Sequence, residues 1–397
     1  MNSVLFSKLQ NFRGSLNASS LEREVIIDGL LASLLSQQNA FLLGAPGTGK
    51  SDLVRSICCG ISGAKYFGYL LTPTTDPSEL FGPVAVTKLL QDEYTRDVEG
   101  YLPDAHIAFT DELFRGSSAI LNSMLTLLNE RTFNNGKEVI ATPIQSIIAA
   151  TNTWPDEESL QAFADRFLFR PTVESLKTPV SKNLLDQWAL GIQPRPAVGE
   201  HLTLEDLTAL QKEAKSLPIS DDFLDKFSTL WDLLAGKGIR ISDRRRVQII
   251  KFLRALAVVR GDDQLFPEHM HNSIVHIVYT SLEDQEEIIA TLEQVVPSPD
   301  RLLNDAARAT AAIMTAYLGH NDEFKRRGVN LADVSEHVAK LRKCHRDLQT
   351  VKNKVDELLD AENSRISLQT RAQGMKTLNR LESSMQTLAV SIADLTK

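Results

Sequence analysis

A glycine-rich stretch constrains the fold of this chain more than any other feature. It reads Gly44-Ala45-Pro46-Gly47-Thr48-Gly49-Lys50-Ser51. The apolar run Ala40–Leu43 before it predicts a buried strand, and Asp52–Ile57 after it predicts the start of a helix. A strand, a glycine-rich loop ending in Gly-Lys-Ser and a helix form the context of a phosphate-binding P-loop. A chance match in a glycine-rich turn is the alternative, but the flanking elements argue against it. We therefore predict that the chain binds a nucleoside triphosphate.

Each part of this loop has an expected role. Glycines let consecutive backbone N–H groups converge on one anion, and the helix N-terminus adds the positive end of its dipole. Lys50 is expected to reach the β- and γ-phosphates, and the Ser51 hydroxyl to bind Mg²⁺. We include Asp52, the next residue, among those that contact the nucleotide.

A second motif is a pair of acids after an apolar run. The segment His106–Thr110 predicts a buried strand, which ends in Asp111 and Glu112. Carboxylates at the carboxyl end of a strand beside a P-loop are suited to metal and water chemistry. We predict that Asp111 holds Mg²⁺ through water and that Glu112 polarises the attacking water as a general base. The alternative is a solvated acidic pair that opens a helix, where acids favour the dipole.

Two further polar positions follow. The predicted strand Ile144–Ala150 ends in Thr151-Asn152, and the Asn152 amide could contact the γ-phosphate or the attacking water. The alternative for Asn152 is a turn-forming residue. Downstream, Asp165-Arg166-Phe167 is followed by a second arginine, Arg170.

Composition sets the class of protein. The 397 residues are too many for one ordinary core, so two or three domains are expected. A net charge of −8 predicts no general affinity for nucleic acid or for anionic membranes. No apolar run is as long as a membrane span, and the N-terminus has no apolar signal core, which favours a cytoplasmic location. Cys58, Cys59 and Cys344 show no zinc-binding spacing and are expected to fill cores.

The rest of the chain predicts helices. Prolines cluster between 171 and 200, which is typical of a connector. Helices are then predicted at Phe223–Leu234 and Arg244–Val259, the second with Ser242 or Asp243 as its N-cap. Beyond 285, two apolar seams around a break at Ala361–Ser367 predict an antiparallel helical hairpin. The seam residues are Leu341, Cys344, Leu348, Val351, Val355 and Leu358, then Leu378, Leu381, Met385, Leu388, Ile392 and Leu395.

The order of these motifs resembles that of AAA+ ATPases, and in particular the MoxR family, closest to its RavA-like branch. The resemblance covers about residues 15–280. It rests on four further motifs: Phe81-Gly82-Pro83, Gly100-Tyr101-Leu102-Pro103, Leu128-Asn129-Glu130-Arg131-Thr132-Phe133 and Asp165-Arg166-Phe167-Leu168-Phe169-Arg170. It implies an α/β fold: a P-loop core with a parallel sheet and helices on both faces, an all-α lid, and here a C-terminal helical hairpin.

The resemblance also implies a division into domains. The expected segments are an α/β domain at 1–172 with an insert near 76–100 and a hairpin near 131–143, a linker at 173–200, a lid at 201–284 and an arm at 285–397. Relatives of the RavA type continue into a β-rich region, whereas this chain predicts helix there.

Roles for individual residues follow from the same resemblance. Asn152 corresponds to sensor 1, and Arg166 to an arginine finger, with Arg170 as the competing candidate. Such fingers act on the ATP of the neighbouring subunit, which implies a ring, usually a hexamer. Arg244 is the best match for sensor 2, and Arg245 is the next candidate. The alternative for these two arginines is a solvated helix face.

The resemblance implies that ATP and Mg²⁺ are used to remodel or assemble a client protein, with a von Willebrand factor A (vWA) domain protein as the expected partner. Two alternatives remain open. A nucleic-acid motor would share the insert and the hairpin, but the predicted hairpin offers only Lys137 beside Arg131 as cations. A nucleotide-gated scaffold would not need to keep Glu112. The arm either docks a partner or only packs on its own lid.

Overall fold

A computed structural model describes residues 3–155, 157–177, 199, 201–271, 273–279, 283–327, 331–359 and 368–396. The chain divides into two compact units, Met1–Thr291 and Leu292–Lys397. Most of the predicted linker, 178–198 and 200, lies outside the described residues. Within the described part of the chain, no helix is both long and apolar enough to cross a membrane.

The first unit is built on a parallel sheet in the order β1-β7-β4-β3. Its strands are β1 (Ala40–Leu43), β2 (Ile61–Ser62), β3 (Tyr66–Leu70), β4 (Ile107–Asp111), β5 (Thr132–Asn135), β6 (Glu138–Ala141), β7 (Ser146–Thr151) and β8 (Leu202–Thr203). On the far side of β1, the segment Phe169–Val173 runs parallel to it: Phe41 N donates to Phe169 O at 2.8 Å, and Leu43 N donates to Pro171 O at 3.1 Å. This order places the carboxyl ends of β1, β7 and β4 side by side.

Helices cover this sheet and form the lid. They are α1 (Ser3–Ser19), α2 (Glu24–Leu35), α3 (Lys50–Cys59), α4 (Pro77–Phe81), α5 (Val86–Leu89), α6 (Ser118–Asn129), α7 (Glu158–Ala164), α8 (Leu204–Ser216), α9 (Asp221–Gly236), α10 (Asp243–Arg260), α11 (Val275–Val278) and α12 (Asp284–Val295). The division between the two units falls within α12.

The buried strands explain why the core forms. Every residue of β1 and of β7 is buried, as expected for parallel strands covered on both faces. The largest described cluster of the core packs Phe41, Ile147 and Ala149 of these strands against Met124 and Leu127 of α6. The parallel sheet with flanking helices confirms the predicted α/β class.

The hairpin and the insert are joined to each other. β5 and β6 pair antiparallel around the turn that contains Gly136. The insert between β3 and β4 reaches this hairpin, because Arg96 N donates to Asn135 Oδ1 at 2.6 Å and Asn135 Nδ2 donates to Arg96 O at 3.0 Å. These bonds fix the insert against the side of the hairpin.

The lid helices carry strong start signals. α10 begins after Ser242, whose side chain accepts a hydrogen bond from Arg245 N at 3.3 Å, so the prediction of an N-cap at Ser242 is confirmed. α8 begins with a capping box of Thr203 and Asp206. α10 packs on α2, and a buried Asp28 on α2 accepts bonds from Arg13 at 2.6 and 2.8 Å.

The second unit contains three long helices: α13 (Pro299–Arg327), α14 (Leu331–Leu359) and α15 (Leu368–Thr396). The two-helix hairpin predicted for the arm is therefore incomplete, because α13 packs against both other helices. Tyr317 of α13 meets Ser391 of α15, with 2.8 Å between their hydroxyl oxygens. Most of the predicted seam residues lie in the core of this bundle, joined by Leu303 and Tyr317 of α13. The predicted break at 361–367 lies outside the described residues.

Candidate functional site

The P-loop connects β1 to α3, as predicted. Gly44 N donates to Thr151 O at 3.1 Å, which ties the start of the loop to the end of β7. Gly47 and Gly49 have φ angles of 77° and 81°, a backbone region that favours glycine. A Cβ atom at either position would meet nothing within 4 Å. The backbone conformation, rather than crowding, therefore requires these glycines, and the space above the loop is open.

Lys50 lies inside this loop. Its side chain is largely buried, with 6% of the residue exposed, and Nζ donates to Gly44 O at 2.7 Å and to Ala45 O at 2.9 Å. Burial lowers the pKa of Lys50, and the nearby charges of Asp111 and Glu112 oppose that shift. Both hydrogen-bond acceptors are neutral carbonyls. A phosphate oxygen would therefore be a better partner for this ammonium than the loop itself.

Glu112 has an unusual backbone. Asp111 ends β4, and Glu112 follows in the left-handed region with φ 53° and ψ 44°. Its N–H donates to Asp111 Oδ1 at 3.0 Å. For a residue with a Cβ this conformation costs free energy, on the order of 1 kcal/mol or more. The turn directs the chain away from the sheet immediately after the two acids.

Asn152 and Glu112 lie in direct contact. Asn152 Nδ2 donates to Glu112 Oε1, and the Arg115 guanidinium lies 3.5 Å from Glu112 Oε2. Both contacts restrain the position of the Glu112 carboxylate. The structure thus brings together the residues predicted as general base and sensor 1, at the sheet edge that also carries the P-loop.

The residues at this edge suit Mg²⁺. Ser51 stands in the first turn of α3 and Asp111 at the end of β4, and both offer oxygen ligands. Among the described residues, no group of three or more His, Cys, Asp or Glu side chains could hold a metal ion without further ligands. Magnesium bound beside phosphates takes only one or two protein ligands and completes its shell from phosphate and water. The donor set present is therefore of the kind that Mg²⁺–nucleotide requires.

The two candidate finger arginines differ in exposure. Arg166 is exposed, and its guanidinium donates to Ala162 O one turn earlier in the chain. Arg170 is 2% exposed. Burial, with a smaller contribution from Arg245, lowers the pKa of Arg170 to about 9.

Arg170 is held within its own chain on all sides. Its guanidinium donates to Ile277 O at 3.0 Å and to Tyr279 O. It lies 5.5 Å from the Trp154 ring centroid and 4.8 Å from that of Tyr279, while the Tyr279 hydroxyl donates to Arg170 O at 2.8 Å. Moving a buried arginine with these contacts out of such a site is costly. This geometry favours Arg166 over Arg170 as the residue that reaches a neighbouring subunit.

The two candidates for sensor 2 also differ. Arg244 is exposed in the first turn of α10, whereas Arg245 is 7% exposed. Arg245 donates to the backbone and the carboxylate of Asp165, the backbone contact being 2.9 Å, and to Ile277 O at 2.7 Å. Sequence reasoning identified neither this pair nor the roles of Trp154 and Tyr279. The signal available was the position of Trp154, two residues after Asn152.

The second unit has a separate surface groove between α14 and α15. Its cavity volume is about 520 Å³, and it is lined by Arg342, His345, Arg346, Ala389, Ile392 and Ala393. The ion pairs of the described part of this bundle, such as Lys340–Glu336 and Lys352–Glu382, do not include Arg342 or Arg346. The groove thus combines cationic walls with small apolar side chains.

Comparison with known proteins places the first unit in a family. Residues 7–212 match the family bpMoxR, described as the MoxR domain in the MoxR-vWA-beta-propeller ternary systems. Two uncharacterised proteins of Methanocaldococcus jannaschii are similar over much of the chain. MJ0812 is 32% identical over 88% of this chain and 92% of its own length. MJ0079 is 34% identical over 71% of this chain and 73% of its own length.

A viral protein and a solved structure extend the comparison. The structural protein ORF618 of Acidianus two-tailed virus is 28% identical over 52% of this chain and 36% of its own length. A crystal structure from Cytophaga hutchinsonii, provisionally described as an ATPase, matches with a TM-score of 0.61 over 74% of this chain and 94% of that one. At 16% identity this match shows a shared fold and nothing beyond it.

Proposed function

The chain belongs to the MoxR family of AAA+ ATPases, and we propose from this membership that it hydrolyses ATP at the subunit interfaces of a homo-oligomeric ring. We further propose that hydrolysis remodels or assembles a partner protein with a vWA domain. One observation carries the catalytic part: the P-loop with its buried Lys50 shares one sheet edge with the hydrogen-bonded pair Asn152–Glu112. Each feature has a part in phosphoryl transfer to water.

The residues of the site act in sequence. Lys50 exchanges its bonds to the Gly44 and Ala45 carbonyls for phosphate oxygens when ATP enters. Glu112 then accepts the proton of the attacking water, a role that contributes about 10²–10⁴-fold to such reactions. Asn152 and Arg115 hold the Glu112 carboxylate in place. Mg²⁺, held by Ser51 and Asp111, would neutralise charge on the phosphates.

Arg166 completes the site from the adjacent subunit in this proposal. Its exposure supports the role, and the burial of Arg170 argues against the competing candidate. A finger supplied by a neighbour contributes about 10³–10⁵ in rate, or roughly 4–7 kcal/mol of barrier. Hydrolysis would then require assembly, with a hexamer as the expected ring.

The proposed partner docks on the second unit. The family description names vWA proteins in the same systems, which supports a partner of that class. The groove between α14 and α15 offers to an acidic, amphipathic helix of that partner two arginines that form none of the described ion pairs, Arg342 and Arg346, together with apolar side chains. From Asn321 onward the chain carries 14 Lys and Arg against 11 Asp and Glu, so this region is basic on an otherwise acidic protein.

A nucleic-acid motor is less well supported. Arg131, one of the two cations predicted on the hairpin, donates to Leu127 O at 3.2 Å and to Gln37 O at 2.9 Å. Burial lowers the pKa of Arg131 to about 10. Of the two predicted cations, Lys137 therefore remains the one that could meet a phosphate backbone, and one cation supports little affinity.

The deciding experiment compares Lys50→Ala with Glu112→Gln. We expect Lys50→Ala to lose ATP binding, because it removes the charge that holds the phosphates. Glu112→Gln is expected to bind ATP with unchanged affinity but to turn it over at least 100-fold more slowly, as loss of a general base implies. The measurements are ATP affinity by calorimetry and phosphate release at steady state. Equal loss of affinity in both variants would refute these roles, and full turnover by Glu112→Gln would refute Glu112 as the base.

A further inference from the structure

The segment that carries Arg166 is attached at both ends to the lid. At its start, Asp165 accepts bonds from Arg245, the third residue of α10. At its end, Arg170 donates to the carbonyls of Ile277 and Tyr279, and Arg170 N donates to His276 O at 2.7 Å. Between these two attachments lies the exposed Arg166.

The two attachments share partners. Arg170 and Arg245 both donate to Ile277 O, at 3.0 and 2.7 Å. The Asp165 carboxylate pairs with Arg245 and lies 3.9 Å from Arg170. Two buried guanidinium groups therefore depend on one carboxylate and on carbonyls of the lid. Displacing the lid without displacing the segment would leave buried donors unpaired, which is costly.

We propose that Arg245 and Asp165 are positioning residues, which fix the finger-bearing segment Asp165–Arg170 to the lid of the same subunit. The lid position in one subunit then sets where Arg166 stands in the active site of the next. This inference rests on the proposed function, because it needs a finger that acts between subunits. In this proposal Arg245 supports hydrolysis in the active site of the neighbouring subunit. A sensor 2 residue would instead contact the nucleotide of its own subunit.

Mixed rings separate these two assignments. Lys50→Ala subunits bind no ATP but keep an intact finger and an intact attachment. Arg245→Ala subunits keep their own P-loop but are expected to present a misplaced finger. Each variant alone should hydrolyse ATP at least 100-fold more slowly than the wild type. An equimolar mixture should recover about a quarter of the wild-type rate, since random mixing pairs a good finger with a good P-loop at about one interface in four.

Three controls make the result interpretable. A mixture of Arg166→Ala with Lys50→Ala tests whether fingers act between subunits at all. Arg246→Ala removes the guanidinium one position after Arg245. Among the described residues Arg246 forms an ion pair with Asp243 at 3.5 Å, so this variant should hydrolyse ATP at the wild-type rate. Asp165→Asn alters a side chain that is 59% exposed, and it serves as the second variant if Arg245→Ala does not fold.

The inference is supported if hydrolysis recovers when Lys50→Ala is mixed with Arg245→Ala or with Asp165→Asn. Arg245→Ala and Asp165→Asn must each also bind ATP with unchanged affinity. A second outcome is that hydrolysis recovers in the mixture of Arg166→Ala with Lys50→Ala but not in the mixtures that contain Arg245→Ala or Asp165→Asn. In that case Arg245 acts in its own subunit, and the inference is overturned while the proposed function stands. If the Arg166→Ala mixture does not recover, the finger between subunits is refuted, and the inference falls with it.

Discussion

At the scale of single residues, Glu112 occupies the least ordinary position in the site. Its backbone is left-handed, and its carboxylate receives a hydrogen bond from Asn152 and faces Arg115. A strained residue held by two partners is typical of a functional site rather than of a structural turn. The contact with Asn152 therefore provides a direct test of the proposed base.

Asn152→Asp should slow hydrolysis more than Asn152→Ala does. The aspartate replaces a hydrogen-bond donor with a carboxylate, whose charge repels the Glu112 carboxylate across their contact. Asn152→Ala is the matched control: it removes the hydrogen bond without adding charge and should lower kcat about 10- to 100-fold. Steady-state phosphate release would measure both variants, and equal rates would contradict the contact.

The three cysteines should differ in reactivity. Burial raises the pKa of Cys58 to about 12 and also raises that of the buried Cys344, whereas Cys59 is exposed. Since the thiolate is the reactive form, native protein should show one fast thiol. Timed alkylation with mass spectrometry should place the first label on Cys59, and Cys59→Ser should abolish the fast phase. Fast labelling of Cys58 would show that the end of α3 is more open than described.

Some residue choices could be predicted from the sequence and others could not. Lys50, Asp111 and Glu112 were located because motif spacing and strand ends determine their places. The choice between neighbours such as Arg244 and Arg245 was left open. Which guanidinium turns inward depends on Ile277 and Asp165, which lie far apart in the chain. Local pattern carries no information about such distant partners.

At the scale of elements, predictions succeeded where one pattern determines the structure. The β5–β6 hairpin follows from its Asn-Gly turn, and α10 from its N-cap and apolar period. In the second unit helix was predicted beyond 285, but α13 was not predicted as a third member of the bundle, because its apolar positions give a clear seam only when the facing helices are known.

The bundle core should determine the stability of the second unit. Leu348 is fully buried among the three helices, whereas Val390 on α15 is 55% exposed. Leu348→Ala should lower the free energy of unfolding of this unit by about 2–5 kcal/mol, since it leaves a cavity in a packed core. Val390→Ala should change it by less than about 0.5 kcal/mol. Thermal unfolding followed by circular dichroism would measure both, and equal effects would contradict the described packing.

Truncation should separate nucleotide binding from partner binding. A cut after Ser298 removes α13–α15 together and should preserve ATP affinity while abolishing binding to a purified vWA partner. A cut near Asp322 divides α13 and removes the packing partners of Leu303 and Tyr317 on the other two helices, and it should cause aggregation.

The groove gives a finer test of the same docking. The double variant Arg342→Glu and Arg346→Glu in the full chain should also lose partner binding. Arg308→Glu, which reverses one charge on α13, should keep it. Full partner binding by the chain truncated after Ser298 would show that the second unit is not the docking site.

At the scale of the whole molecule, the account depends on assembly. The first unit holds every residue of the proposed site, and Arg166, the proposed finger for a neighbour, is exposed on it. Neither unit is complete in this view: one needs an adjacent subunit for catalysis, and the other needs a partner. The family description, which names vWA systems, supports the second of these requirements.

The most direct test measures the ATP hydrolysis rate per subunit as protein concentration rises, with light scattering to report the mass in parallel. The account predicts a low rate for the monomer and a rise that follows ring formation. Arg166→Ala should reach the same mass at the same concentrations while its rate stays about 10³-fold or more below the wild type. A rate per subunit that is constant and high while the protein is monomeric would contradict catalysis at shared interfaces.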